Sequence, residues 1–270
     1  MSIHQLNFSG KDKVEVAIDR LKSFEPEEGY YLAFSGGKDS VVIKALADMA
    51  EVKYDAHFTH TSVEHPKVIY FTREYHPNVS IDFPKDKDGN RITMWNLIPK
   101  KKFPPTRIGR YCCEVLKESG GKGRFVITGV RWAESVRRKT TRAGLEIENG
   151  TKQRTRLDPD NPQNEKMARF CPTKGSHIIN PIIDWSTEDV WEFIHEYNIP
   201  YCSLYDEGWT RLGCIGCPMS TKRMKDFDFY PKFKDAYIKA FDRMLKRCEE
   251  TGKETSWKTA EDVFEWWIRN

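Results

Sequence analysis

Tyr30-Tyr31-Leu32-Ala33-Phe34-Ser35-Gly36-Gly37-Lys38-Asp39-Ser40-Val41-Val42-Ile43 is the stretch whose reading decides the fold. Residues 30–34 form a short aromatic and apolar run, the pattern of a buried strand. From Val41 to Ala50 apolar residues recur at helical spacing. The order is therefore strand, glycine turn, helix. Two adjacent glycines let the chain turn sharply and leave no Cβ between backbone and ligand. Free N–H groups at the start of the helix point at one spot, and the helix dipole makes that spot anion-seeking. The hydroxyls of Ser35 and Ser40 and the ammonium of Lys38 add donors. The stretch predicts phosphate binding, with Ser35, Gly36, Gly37, Lys38, Asp39 and Ser40 as contacts.

No G-x-x-x-x-G-K-[ST] is present, so this is not a Walker A loop. The six residues resemble the PP-loop signature, SGGxDS, of the adenine-nucleotide alpha-hydrolase-like superfamily. Outward from it, strand patterns at 30–34, 54–59, 79–82, 124–129 and 177–183 alternate with helical patterns at 39–50, 65–76, 92–101, 113–119, 133–140 and 187–197. An amphipathic helix is expected over 11–24. This alternation predicts an α/β fold, a parallel twisted sheet with helices on both faces. Ligands of such sheets bind at the strand carboxyl ends, where the glycine turn lies. Residues 1–225 are expected to form the nucleotide-binding domain, with polar residues 143–175 as an insertion or loop. Residues 226–270, with Phe229, Tyr230, Phe233, Tyr237, Phe241, Leu245, Val263, Phe264 and Trp267, predict a C-terminal helical tail.

The chain has seven cysteines, an odd number, and its first residues do not read as a signal peptide. A reduced, cytoplasmic protein is the expectation. There is no long apolar run, which argues against a membrane partner. Gly213-Cys214-Ile215-Gly216-Cys217-Pro218 is a tight C-x-x-C knuckle, and Arg110-Tyr111-Cys112-Cys113 supplies two more thiols. Four thiolates hold either a zinc ion or an iron–sulfur cluster. Neighbouring side chains diverge, which suits one tetrahedral ion poorly, whereas a cubane offers each thiol its own iron.

A Cys-Cys pair, a long gap and a C-x-x-C resemble the cluster-binding pattern of the assimilatory adenylylsulfate reductases, which also carry a PP-loop. That resemblance implies a [4Fe–4S] cluster on Cys112, Cys113, Cys214 and Cys217. Residues 125–138 look like the family segment in which a Thr-Gly-x-Arg turn and a following arginine face the nucleotide. Here these are Thr128, Gly129, Arg131 and Arg137. Asn180-Pro181-Ile182-Ile183-Asp184-Trp185-Ser186-Thr187-Glu188-Asp189-Val190-Trp191 resembles a further family stretch, and locally predicts a helix capped by Ser186 with Asp189 completing a capping box. The likeness to phosphoadenylylsulfate and adenylylsulfate reductases covers roughly residues 28 to 220. Ser62 and Glu64, near His57, His60 and His65 at the end of the second strand, are expected in the nucleotide pocket. One departure matters. The reductases use a cysteine in a Glu-Cys-Gly-[Ile/Leu]-His tail, and that motif does not occur in this sequence. Cys171, Cys202 and Cys248 are the remaining thiols.

Residues 100–156 contain 16 Lys and Arg against 5 Asp and Glu. A mononucleotide hardly needs so much charge, so a nucleic-acid partner is a second expectation. The resemblance implies an enzyme. In one reading it binds adenylylsulfate or its 3′-phosphorylated form beside an iron–sulfur cluster and acts in sulfonucleotide reduction or related sulfur metabolism, with a thiol or sulfur-donor protein as partner. In another it is an ATP pyrophosphatase that adenylates DNA or tRNA for sulfur transfer. There Lys38 and Asp39 handle the phosphates and magnesium, while Arg131 and Arg137 stabilise charge at the α-phosphate. A third reading is a non-catalytic nucleotide-sensing module.

Overall fold

Local signals set most of the elements. In the helix Lys13–Ser23 (α1), Asp12 and Glu15 close a capping box, and Val14, Ala17 and Leu21 form the buried stripe. Strand Tyr30–Phe34 (β1) leads through the glycine turn into Lys38–Met49 (α2). Then follow Tyr54–Thr59 (β2), Pro66–Tyr75 (α3), Ser80–Asp82 (β3), Met94–Lys101 (α4) and Tyr111–Leu116 (α5). After Phe125–Ile127 (β4) come Val136–Thr141 (α6), Leu145–Glu148 (β5), Arg154–Leu157 (β6), His177–Ile179 (β7) and Thr187–Glu196 (α7). The last is capped by Ser186 with Asp189 as its partner, as the sequence predicts. Helices Arg223–Phe229 (α8), Pro231–Glu250 (α9) and Ala260–Arg269 (α10) complete the chain. This computed structural model describes residues 2–7, 9–117, 120–148, 154–161, 163–164 and 176–270. Among them no helix is long and apolar enough to cross a membrane.

The chain is α/β, a mostly parallel sheet flanked by helices. The strand order is β3-β2-β1-β4-β7-β5-β6. β1 pairs in parallel with β2 and β4, and β4 with β7. The chain winds outward from β1 to β3, then returns to lay β4 on the other side of β1. The carboxyl ends of β1 and β4 therefore flank the point where the winding reverses, the place where such sheets leave a crevice. The turn 35–40 follows β1 and the turn 128–131 follows β4.

One expectation fails within 143–175. Its polar composition suggested a loop, yet residues 145–148 and 154–157 form an antiparallel hairpin, and β5 pairs antiparallel with β7. The signal was present in alternation. Leu145 and Ile147 are buried, while Glu146 between them is also buried and takes the ion pairs of Arg142 and Arg154. Residues 165–175, including Cys171, lie outside the described residues.

Contacts divide the chain into two compact units. The first comprises residues 1–58, 67–80 and 120–211, and the second 59–66, 81–119 and 212–270. The second unit has an apolar core of its own, built from Leu97, Ile98, Leu116, Ile215, Phe227, Phe241 and Trp267 among others.

Candidate functional site

The first unit holds the predicted phosphate turn. Gly36 has φ +70°, and a Cβ there would meet Val68 Cγ1 at 2.6 Å, so the position needs glycine on both counts. The turn is held from within. The Ser40 hydroxyl donates to the Gly37 carbonyl at 2.8 Å, and the Ser35 hydroxyl to Ser40 Oγ at 3.2 Å. The Lys38 N–H donates to the Tyr205 hydroxyl at 2.8 Å. Burial pushes that phenol well above the ordinary tyrosine range, so it stays protonated.

The turn after β4 comes to the same place. Gly129 lies so close to the start of α2 that a Cβ would sit 2.9 Å from the Asp39 carbonyl oxygen. Thr128 donates its N–H to Ile179, and its hydroxyl bonds the side chain of buried Asn180. Arg131 is only 1% exposed. Its Nε donates to Asp39 Oδ1 at 2.7 Å and its Nη1 to the Trp185 carbonyl at 3.1 Å. Lys38 Nζ lies 3.2 Å from the other Asp39 oxygen. One carboxylate thus sits between an arginine and a lysine at the carboxyl ends of adjacent parallel strands.

Arg137, the expected second arginine, is exposed and its side chain makes no hydrogen bond or ion pair among the described residues. Its neighbour Arg138 faces inward and pairs with Glu134. Burial and the guanidinium groups of Arg211 and Arg142 pull Arg138 down to about 10, with Asp39 opposing. Spacing alone does not single out this pair, because Glu134 precedes α6 and the extended Ser135 separates it from the helix that carries Arg138. Arg211 carried no recognisable motif of its own, and Tyr205, within a family-like stretch at 204–208, had no role assigned to it. A site with Lys38, Arg131, Arg138 and Arg211 against Asp39 and Glu134 keeps an excess of positive charge, which suits a phosphorylated ligand.

The second unit holds Cys112, Cys113, Cys214 and Cys217, which line one small cavity with Lys117 and Tyr237. The knuckle is shaped by its surroundings. Gly216 has φ +70° and faces Phe227, whose ring a Cβ would meet at 2.5 Å. The Ile215 N–H donates to Val63, the Tyr237 hydroxyl to the Ile215 carbonyl, and the Cys217 N–H to the Cys214 carbonyl. The Cys112 thiol, hydrogen-bonded to Cys113, favours the Cys113 thiolate and lowers its pKa, with help from Arg110, whose Nη2 lies 3.5 Å from the sulfur. Burial pushes Cys214 up, and the Lys117 ammonium beside it opposes that. Among the described residues, no three His, Cys, Asp or Glu side chains converge tightly enough to hold a single metal ion.

Ser62 and Glu64 also lie in the second unit. Ser62 has φ +76°, and its Oγ accepts from the Met94 N–H. Glu64 is buried and accepts from the Thr61 N–H. Each of the three histidines keeps its own neighbours: His57 stacks on Tyr31, His60 accepts from the Ser62 N–H, and His65 packs on Tyr230. Cys202 and Cys248 are buried.

An uncharacterized protein of Methanocaldococcus jannaschii is 28% identical over 220 residues, 78% of this chain and 47% of that protein. The adenosine 5′-phosphosulfate reductase of Oceanobacillus iheyensis is 27% identical over 190 residues, 67% of this chain and 64% of that one. The chain therefore spans less than two thirds of either relative. Among solved structures, the phosphoadenylyl-sulfate reductase of Candida auris in its phosphate complex aligns with a TM-score of 0.47 at 18% identity, covering 79% of this chain and 98% of that one. Residues 29–220 match the phosphoadenosine phosphosulfate reductase domain, a span that contains both glycine turns, the buried arginine and all four cavity-lining cysteines. The chain belongs to the phosphoadenosine phosphosulfate reductase family.

Proposed function

We propose that this chain is an enzyme of sulfur metabolism that binds an adenine nucleotide on the turn 35–40 and an iron–sulfur cluster on its four clustered cysteines. The observation that carries the first half is Asp39 held between Arg131 and Lys38 where two glycine turns meet. The turn's N–H groups and Ser35 bind phosphate oxygens, Gly129 lets the second turn approach, and Arg138 and Arg211 balance the anion. For the second half, the four thiols, an adjacent Cys-Cys pair and a C-x-x-C, line one cavity. That donor set fits a multi-iron cluster better than a lone zinc, because each thiolate takes a different iron. Such a cluster supplies electrostatic stabilisation or electron transfer when bound. Around it Arg110 and Lys117 offset the thiolate charge.

Relatives that are adenosine 5′-phosphosulfate reductases support a sulfonucleotide as substrate. In that reading two thiols of an external reductant supply two electrons. The sulfur–oxygen bond to the nucleotide breaks, giving AMP, sulfite and a disulfide. A second reading is favoured by the cationic excess around Asp39, which suits a triphosphate. In it ATP adenylates a nucleic acid, releasing pyrophosphate, and a sulfur nucleophile then displaces AMP, with Asp39 holding magnesium.

Product analysis under anaerobic conditions separates them. Sulfite and AMP from adenylylsulfate with a thiol reductant, while ATP stays intact, supports reduction. AMP and pyrophosphate from ATP and magnesium, rising when tRNA or DNA is added, supports adenylation. Failure to bind any of these nucleotides overturns both.

A further inference from the structure

The basic segment 100–156 is not uniform. In the first unit its arginines are largely spent on carboxylates: Arg124 on Asp55, Arg131 on Asp39, Arg138 on Glu134, and Arg142 and Arg154 on Glu146. In the second unit Arg110 and Lys117 lie against the clustered thiols, whereas other cations of the segment meet no carboxylate among the described residues. Lys100 to Arg110 hold five basic residues and no acidic one. Among the described residues, Lys100, Lys101, Lys102 and Arg107 form no ion pair.

This stretch is built, not loose. The Trp267 indole N–H donates to the Pro105 carbonyl at 2.6 Å, the Tyr111 hydroxyl to Phe103 at 2.7 Å, and Arg107 Nε to Pro218 at 3.0 Å. A turn closed by the Gly109 N–H on Thr106 Oγ1 then leaves Ile108 98% exposed between two arginines. At the other end Phe103, 38% exposed, meets Trp257 and Trp266 with ring centroids 5.7 and 5.6 Å away. Lys253 lies over Phe103, and Lys101 over Tyr111.

We propose that the strip from Lys100 to Ile108, with the Phe103–Trp257–Trp266 cluster, is a docking surface for single-stranded nucleic acid. Rings take unstacked bases, Lys100, Lys101, Lys102 and Arg107 follow the phosphates, and Ile108 inserts between bases. Aromatic rings interleaved with free cations favour a single strand over an acidic protein, which offers no π-faces, and over a duplex, whose bases are already stacked. The second reading above is needed only for what the strand is used for. The binding itself requires no nucleotide, so its failure is separate from a failure of product analysis.

The test is fluorescence anisotropy of the full chain with labelled uridine and thymidine homopolymers of about 12 nucleotides and a duplex of equal length. Both single strands are expected to bind at least tenfold tighter than the duplex, with affinity falling steeply between about 50 and 200 mM salt. Lys100→Glu/Lys101→Glu should weaken binding about tenfold or more and flatten the salt slope by about 0.7 per lost contact. Phe103→Leu and Ile108→Asp should each cost about fivefold or more. The charge-matched control Lys232→Glu/Lys239→Glu, on exposed positions of α9, should change affinity less than twofold. Equal loss in that control overturns the proposal. So does a duplex bound as tightly as the single strands, or displacement by polyglutamate with Phe103→Leu unaffected. Should Phe103→Leu unfold, the exposed lysine pair still decides.

Discussion

Arg131 Nε donates to Asp39 Oδ1 at 2.7 Å across two different strand–turn units, and the same guanidinium reaches the Trp185 carbonyl at 3.1 Å. The arginine thereby ties the turn after β4 to the helix that follows β1. Removing it leaves Asp39 with Lys38 alone and strands a buried carbonyl. Arg131→Met should lower stability by about 2–3 kcal/mol, less than the 3–5 typical of fully buried pairs because Asp39 is partly exposed. Urea unfolding measures that. Nucleotide affinity by calorimetry should fall at least tenfold, whereas Arg131→Lys, which keeps the charge but not the fork, should recover stability more than affinity.

Gly129 offers a cleaner perturbation, because no charge changes. An added Cβ meets the Asp39 carbonyl at 2.9 Å, and that atom is helix backbone rather than a mobile side chain. The turn must move away. Gly129→Ala should cost about 1–3 kcal/mol of stability and weaken nucleotide binding by about tenfold through the displaced phosphate turn. Gly123→Ala does not serve as a control, since φ +78° strains it too. Gly213→Ala meets nothing within 4 Å and should be near neutral in stability.

The contrast between these residues explains what the sequence could reveal. The turn 35–40 was legible because its glycines, hydroxyls and flanking periodicity are all local. The Ser186 cap was legible for the same reason. The role of Tyr205 was not: residues 204–208 resemble a family stretch, but the bond of Tyr205 to the Lys38 N–H spans 167 positions. Arg137 is the arginine expected from the resemblance, and the ion pair with Glu134 falls to its neighbour Arg138, a contact that no local pattern announces. The hairpin at 145–157 was hidden because its four-residue alternation, Leu145 to Glu148, is short and lies in a polar segment, and the burial of Glu146 depends on ion pairs with Arg142 and Arg154.

His76 sets an acid limit on stability. Burial between Phe34 and Phe71, with the Lys44 ammonium alongside, holds it down to about 4. Its Nε2 is buried and has no hydrogen-bond partner among the described residues. The native pKa lies below the unfolded value of 6.5, so the unfolded chain binds more protons in between. Stability is therefore full above about pH 6.5 and falls as pH drops toward 4, by up to about 2–3 kcal/mol from this group. His76→Leu should flatten that part of the curve of unfolding free energy against pH. An unchanged slope would mean that His65 and His177, also depressed by burial, carry the effect.

The four thiols make a distinction that iron analysis can read. Cys112, Cys113, Cys214 and Cys217 line one cavity, while Cys202 and Cys248 are buried thiols away from it, one in each unit. Protein purified without oxygen should be brown, with about four irons and four sulfides per chain. Cys214→Ser should lose most of the iron and the visible absorbance. Cys202→Ser should keep both, because burial holds that thiol protonated and it faces no other cysteine of the set. Loss of cluster should also loosen the second unit, since Ile215 and Gly216 between the knuckle thiols pack on Val63, Tyr237 and Phe227. A colourless protein carrying one zinc per chain, lost in Cys214→Ser, would replace the cluster with a structural ion.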